Sequence, residues 1–449
     1  MDVSPVFSRR AFLQNSALGF GWLAFADLAT RASASVKEPH FAPKAKRVIL
    51  LSMRGAPSHM DTFDYKPKLN VDHGKPGLKE NTLLYGTQWK FSQHGQSGMW
   101  ASELFPEIAS HADELCMINS MQTDLPAHSQ AYVKMHTGTS QFVRPSLGAW
   151  VYYGLGSVNE NLPGFITITP PSGFGGAQNY GSGFLPAINQ ATCIGVDKRP
   201  IATAEVPNLK PRQPLNEQRS ELDLVQAFNR SKLVREPHNP QVEGVIESYD
   251  LAFKMQSEMP AVMDLTKESD ATKALYGIGT EATDDCGRKC LLARRLVEAG
   301  VRFVEVTHGD WDHHSKLATA LPECCNSVDK PISGLLTDLK ARGLLKNTLV
   351  IWSGEFGRTP HSEGVDGRDH NTGAFTLWMA GGGARPGYTH GNSGDYGYEA
   401  VDGAVSIHDW HATVLHLLGF NHEKLTYRYA GRDFRLTDVH GNVVKELVA

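Results

Sequence analysis

Cysteine is scarce in this 449-residue chain, with six in all. Cys116, Cys193, Cys286, Cys290, Cys324 and Cys325 lack the spacing of a dense disulfide framework. Cys286 and Cys290 lie four apart, as on one helix face, and Cys324-Cys325 is a vicinal pair that is awkward to bridge. With no second pair at zinc-site spacing, the cysteines read mostly as small buried hydrophobes. Long runs of Lys or Arg are also missing, and the formal net charge is −4. Phosphate-backbone binding needs a basic stripe, so no nucleic-acid partner is expected. No stretch is long and apolar enough for a stable membrane span. The 43 Gly and 24 Pro follow no repeat, which excludes collagen-like and low-complexity stalks. What is present suffices for a core: 41% hydrophobic and 9% aromatic residues exclude wholesale disorder.

The first residues read as an address. Ser8-Arg9-Arg10-Ala11-Phe12-Leu13 precedes a moderately apolar stretch from Ala17 to Ala29, softened by Gly19 and Gly21. Ala32-Ser33-Ala34 then offers a small-x-small cleavage site. Residues 1–34 are expected to be a twin-arginine export signal, with the twin-arginine translocase as a partner and a periplasmic or extracellular destination. The plainer alternative, a chance Arg pair before a short buried helix, leaves the order of the three regions unexplained. Such substrates cross the membrane folded, and many carry a cofactor, which raises the expectation of a bound metal.

Residues 35–449 read as one α/β domain. Short apolar runs at 48–53, 115–119, 165–169, 301–306, 348–353 and 374–379 have the character of buried strands. Helical patterns cover 101–111, the stretch from Pro126 to Gly138, 285–300, a long stretch from Leu317 to Leu339 interrupted at Pro322 and Pro331, and 408–418. Alternation of strand and helix predicts a mostly parallel central sheet with helices on both faces. Residues 170–215 read as loop and 216–280 as helical, so 155–285 is expected to be an insertion or cap. In such sheets chemistry lies beyond the carboxyl ends of the strands, which is where the polar clusters fall.

After the strand at 301–306 come His308, Asp310, Asp312, His313 and His314. Carboxylate and imidazole together suit zinc or another divalent ion; a hydrogen-bonded loop with surface histidines is the bland alternative. After 348–353 come Glu355, a candidate ligand or base, and Arg358, a candidate partner for an anionic ester. A salt bridge between the two accounts for them nearly as well. Asp369 and His370 open the next strand and are candidate metal ligands, or an ordinary turn. The loop after the first strand holds Ser58, His59, Asp61, Thr62 and Asp64, with Thr62 or Ser58 a candidate nucleophile and Asp61 a candidate ligand. His128 and Ser129 stand near a helix N-terminus, which favours anions, or serves only as a cap.

Taken in order, Asp310 to His314, Ser353-Gly354-Glu355-Phe356-Gly357, His370 and Leu417-Leu418-Gly419 resemble the strand-end motifs of the alkaline-phosphatase-like superfamily, which includes sulfatases. Nearly the whole of 35–449 is similar to an exported family, domain of unknown function 1501. The matching stretches are Gly55 to Asp64, Trp311-Asp312-His313-His314, Gly354 to Pro360 and Gly367 to Asn371. The resemblance implies an alkaline-phosphatase-like fold and a metal half-site from Asp310 or Asp312, His314 and His370. It places the nucleophile position on His128 and puts Glu355 and Phe356 where a second metal would take an Asp-His pair. Phe cannot ligate, and no Cys-x-Pro-Ser-Arg stretch exists for a formylglycine. The expectation is a single divalent ion, zinc first and manganese or calcium next, in a hydrolase of phosphate or sulfate esters. His128, Thr62 or Glu355 would act as nucleophile or base, and Arg358 would offset substrate charge. The substrate would be a small-molecule or polysaccharide ester. The alternative is a non-catalytic binding or assembly protein on a degenerate form of the fold.

Overall fold

The computed structural model describes residues 38–204, 206, 209–211, 213–236 and 239–449. The expected export signal lies outside them. Chain order gives strands β1 (Arg47–Met53), β2 (Phe91–His94), β3 (Met99–Ser102), β4 (Leu115–Gln122), β5 (Phe165–Ile168), β6 (Thr192–Ile194), β7 (Phe303–His308) and β8 (Thr348–Ser353). They continue with β9 (Gly357–Ser362), β10 (Arg368–Asn371), β11 (Phe375–Ala380), β12 (Tyr388–His390), β13 (Val405–Ser406), β14 (Tyr427–Tyr429) and β15 (Arg432–Phe434). The helices that matter here are α1 (His59–Thr62), α2 (His128–Thr137), α3 (Leu147–Leu155), α4 (Leu215–Arg235), α5 (Pro240–Met263), α6 (Asp284–Glu298), α7 (Leu317–Ala341) and α8 (Ile407–Leu417).

Nine strands form one sheet in the order β12-β4-β11-β8-β1-β7-β5-β6, with β13 also on β4. Every pairing is parallel except those of β11, which runs against β4 and β8. The sequence Val-Ile-Leu-Leu in β1 explains its central place, because both faces of a central strand must be apolar. Ile49, Leu51 and Met53 pack on the side of α6 and α7, whereas Val48 and Leu50 pack on the side of α3 and α8. The alternation is the two-residue period of a strand, and each such side chain contributes roughly 1.5–3 kcal/mol by burial. The mostly parallel α/β architecture with helices on both faces is therefore as expected. No helix among the described residues is long and apolar enough to cross a membrane.

Three expectations need correction. Residues 101–111 are not one helix: β3 runs to Ser102 and only Pro106–Ala109 turns helical. Pro106 pre-sets that turn, and Asp329 accepts the free N–H groups of Glu107 and Ile108 at 2.9 and 2.8 Å. The long helix is not interrupted, since α7 is continuous through Pro322 and Pro331. Each proline costs about 3 kcal/mol in a helix interior; the buried row Leu321, Val328, Ile332, Leu335 and Leu339 outweighs that. The segment 155–285 is not wholly an addition to the domain, because β5 and β6 belong to the central sheet. The helices α4 and α5 stand outside that sheet, with α5 touching α6.

Candidate metal centre

The register of the sheet sets one edge. Met53 pairs with His308 and Ser52 with Ser353, so β1, β7 and β8 end at the same level. The reversed β11 starts at that edge, with Phe375 opposite Met121 near the end of β4. The hairpin β9–β10 is thereby delivered beside the loops that follow β7 and β8. The start of α2, just after β4, closes the group.

Four side chains from these segments converge. One ligand-capable atom from each of His128, Asp312, His314 and His370 lies within 4.8 Å of every other. Asp312 Oδ1 is 3.0 Å from His128 Nε2, 3.0 Å from His314 Nε2 and 3.4 Å from His370 Nε2. The Nε2 atoms of His314 and His370 are 2.9 Å apart.

What lies behind each imidazole decides its tautomer. His128 Nδ1 faces the carboxylate of Glu355 at 2.6 Å. His314 Nδ1 faces the carboxylate of Glu363. His370 Nδ1 faces the carbonyl of Pro126 at 2.6 Å. All three partners only accept, so each Nδ1 carries the proton, and a neutral ring then offers its Nε2 lone pair to the common point. Two lone pairs 2.9 Å apart repel unless a proton or a cation lies between them. His128 Nε2 is buried and lacks a hydrogen bond of good geometry. Three imidazole lone pairs and a carboxylate, each imidazole held from behind by an acceptor, is the donor set of a zinc-type site. The residues present fit a divalent ion.

Arg358 and Glu355 support this group from within. Arg358 is buried and donates to Asp312 Oδ1 at 2.7 Å, to the carbonyl of Ala56 at 2.9 Å, to that of Arg368 at 3.2 Å and to that of Gly55. Burial on its own would raise the Asp312 carboxyl; the Arg358 guanidinium and the imidazoles of His128 and His370 around it overcome that and hold the group well below the usual carboxylate range. Burial would likewise lower His128, but Asp312 and Glu355 raise it above its ordinary value. Glu355 also accepts the N–H of Gly55 at 3.0 Å. Gly55 has φ +109°, and a Cβ there would meet the Asp312 backbone nitrogen at 2.7 Å. Only glycine lets the β1 and β7 loops touch. The Phe356 ring packs on the rings of His128 and His370 at 4.7 and 4.5 Å between centroids.

Several expected residues sit elsewhere or act differently. Asp312, not Asp310, joins the cluster: Asp310 is exposed in a left-handed turn at φ +70°. Asp61 is not beside the cluster's donors; it is wholly buried in an ion pair with Arg368 at 2.7 Å. Thr62 is no free nucleophile, since its buried hydroxyl donates to the carbonyl of Ser58 at 2.9 Å. Arg358 has its guanidinium taken up by the protein and does not reach out to a substrate. Glu355 is committed to His128 and Gly55. His128 is a member of the donor set, which leaves its assignment as nucleophile without support. Asp369 lies with His314 and Glu363 in a second, overlapping group. Of the loop's other histidines, His313 is buried near Cys324 and lowered by burial to about 4. Glu363 was missed: it lies in a Gly-flanked turn with no motif, and only the β9–β10 fold-back brings it to His314.

A family profile, described as protein of unknown function, matches residues 45–448. The chain belongs to the DUF1501 family. No curated protein matches it. Among solved structures, this DUF1501 chain is similar to the PsFucS1 sulfatase from Pseudoalteromonas sp. at 13% identity, over 84% of this chain and 68% of that one, with a TM-score of 0.39. It is similar to the lipoteichoic acid synthase LtaP from Listeria monocytogenes at 10% identity, over 90% and 78%, with a TM-score of 0.41. It is similar to alkaline phosphatase from the Antarctic bacterium TAB5 at 11% identity, over 77% and 94%, with a TM-score of 0.32. These are likenesses of fold.

Proposed function

We propose that this DUF1501 chain is an exported, metal-dependent hydrolase of phosphate or sulfate esters. A single divalent ion, zinc before manganese or calcium, is held by His128, Asp312, His314 and His370. The observation that carries the metal reading is the convergence of three Nε2 atoms whose Nδ1 protons are each claimed by an acceptor. The ester class rests on the resemblance of the strand-end motifs to those of the alkaline-phosphatase-like superfamily. A bound ion supplies polarisation of an ester oxygen, or a water of lowered pKa. The chain's own residues do the positioning. Glu355, Glu363 and the Pro126 carbonyl orient the three rings, and Arg358 orients Asp312. The Asp312 side chain is 39% exposed, so the centre opens to solvent and to a small-molecule or polysaccharide ester. The Arg9-Arg10 signal would take the folded chain through the twin-arginine translocase to the periplasm or beyond.

The test is elemental mass spectrometry on the folded protein beside His314→Ala and His370→Ala, followed by assays with nitrophenyl phosphate and nitrophenyl sulfate. We expect one ion per chain, lost in both variants, and ester cleavage that falls with it. Protein that holds no metal, and takes none up from zinc, manganese or calcium solutions, would refute the centre. Metal without cleavage of either ester class would favour the second reading, a binding or assembly protein. The Phe356 ring, stacked where a second ion would need a ligand, is the observation on that side.

A further inference from the structure

Away from the metal centre, Arg144 has no acid to pair with among the described residues. The Arg144 guanidinium lies over three phenyl rings, 4.6 Å from the centroid of Phe434, 5.1 Å from Phe142 and 5.8 Å from Phe184. No carboxylate among the described residues pairs with it. Its cationic neighbours are committed, Lys134 to Asp124 at 2.5 Å and Arg435 to Glu423 at 3.3 Å. A guanidinium stacked on aromatic faces is pre-organised, and its in-plane N–H groups stay available for a forked contact with an oxyanion.

Arg144 lines a cavity of about 250 Å³, whose wall also includes Thr139, Ser140 and Gln141; its two carboxylates, Asp124 and Asp438, are paired with Lys134 and Arg432. Their hydroxyl and amide groups suit sugar hydroxyls. Phe142 in the same wall is 58% exposed. Phe184 continues the aromatic floor, stacked on Tyr429 of β14 at 5.2 Å and 17°. Flat rings for C–H faces, polar groups for hydroxyls and an unpaired guanidinium for a tetrahedral oxyanion together describe a site for a charged sugar.

The cavity is tied to the metal centre by one rigid element. Lys134 and Thr137 of its wall belong to the last turns of α2, whose first residue is His128. The helix rise of ~1.5 Å per residue puts the two ends about 14 Å apart, within reach of a short oligosaccharide. We propose that this cavity is a glycan subsite in which Arg144 holds a sulfate or phosphate group of a polymer that extends toward the metal centre. The direction of the polymer rests on the ester-hydrolase reading; the binding does not.

Isothermal titration calorimetry tests it with four probes: dextran sulfate and dextran phosphate oligosaccharides, neutral dextran, and polyglutamate of matched charge. Wild type, Arg144→Gln, Phe142→Ala and His314→Ala are compared. We expect one charged dextran to bind, and which one binds separates sulfate from phosphate. Binding should weaken about tenfold or more in Arg144→Gln. Phe142→Ala removes an exposed ring without touching the core, and should weaken binding too if Arg144→Gln fails to fold. His314→Ala should lose less affinity than either. Equal affinity in the wild type and both cavity variants would overturn the proposal. So would polyglutamate binding as tightly as the charged dextrans, or no binding of either. Loss of metal or of ester cleavage bears only on the hydrolase reading.

Discussion

Glu363 shows what a single side chain does at this centre. It ligates nothing in the four-residue group, yet its carboxylate claims the Nδ1 proton of His314 and so decides which lone pair faces the others. Removing such a support typically costs 10–100-fold in metal affinity, on the order of 1–3 kcal/mol. Glu363→Ala should therefore bind zinc about tenfold more weakly or worse in competition with a chromogenic chelator. Unchanged affinity would mean that the His314 ring is held by packing alone. Arg368 and Asp61 teach the opposite lesson. Both are fully buried, bonded at 2.7 and 3.1 Å, and Arg368 also donates to the Thr359 carbonyl at 3.0 Å. An acidic residue in a polar loop looks like a ligand in sequence. Here it neutralises an arginine beneath the β9–β10 hairpin, and removing one partner of such a pair costs about 3–5 kcal/mol.

Among the elements, α7 carries the largest share of the packing on its side of the sheet. Its buried row recurs at helical spacing and explains why two prolines do not divide it. Leu335 lies wholly within this core. Leu335→Ala should lower stability by about 2–5 kcal/mol, read as a shift of the urea midpoint at constant m-value. A loss below 1 kcal/mol would show that the prolines already leave this helix loosely seated. The reversed strand β11 has the more direct bearing on the histidine cluster. Had it been parallel like its neighbours, the residues preceding it would lie at the far edge of the sheet. Because it is antiparallel, His370 arrives at the edge where the loop after β7 delivers Asp312 and His314.

Across the whole molecule, buried neutral histidines set the response to acid. His308 accepts from Trp311 Nε1 at 3.0 Å and faces Ser327 Oγ at 2.9 Å, and burial lowers it to about 4. His411 donates to the Met135 carbonyl at 2.8 Å, and burial, with His408, His136 and Lys134 nearby, lowers it to about 3. Their folded values lie below the ordinary 6.5, so the unfolded chain binds more protons between those limits. Their stabilising effect is complete above about pH 6.5 and is lost as pH falls toward 4 and 3, at up to ~1.4 kcal/mol per pH unit for each. Asp329, raised to about 6 by burial, opposes them over pH 4–6, since the folded state holds its proton more tightly. With His313 also lowered to about 4, the depressed histidines outweigh the Asp329 carboxyl and the raised His128 and His136, so the melting temperature should fall from pH 7 to pH 5, and His411→Gln should flatten that fall. A melting temperature that rises on acidification would contradict the balance. How much of this was legible in the chain itself varies with the range of the physics. Strands such as 348–353 and helices such as α2 and α8 are local matters of apolar run, period and cap, and they stand in the sequence nearly residue for residue. The family resemblance stands there too, because its motifs are contiguous. The sequence by itself thus determined a mostly parallel α/β domain with its polar residues at the strand ends. Which of those residues meet was decided only by the tertiary structure: the level ends of β1, β7 and β8, the reversal of β11 and the fold-back of β9–β10. Ligand convergence depends on ångström-scale distances between segments up to 242 residues apart (His128 and His370); spacing along the chain carries no information about them. Burial, which turned Asp61, Thr62 and Arg358 inward and left Asp312 facing out, likewise exists only once the sheet has closed over them.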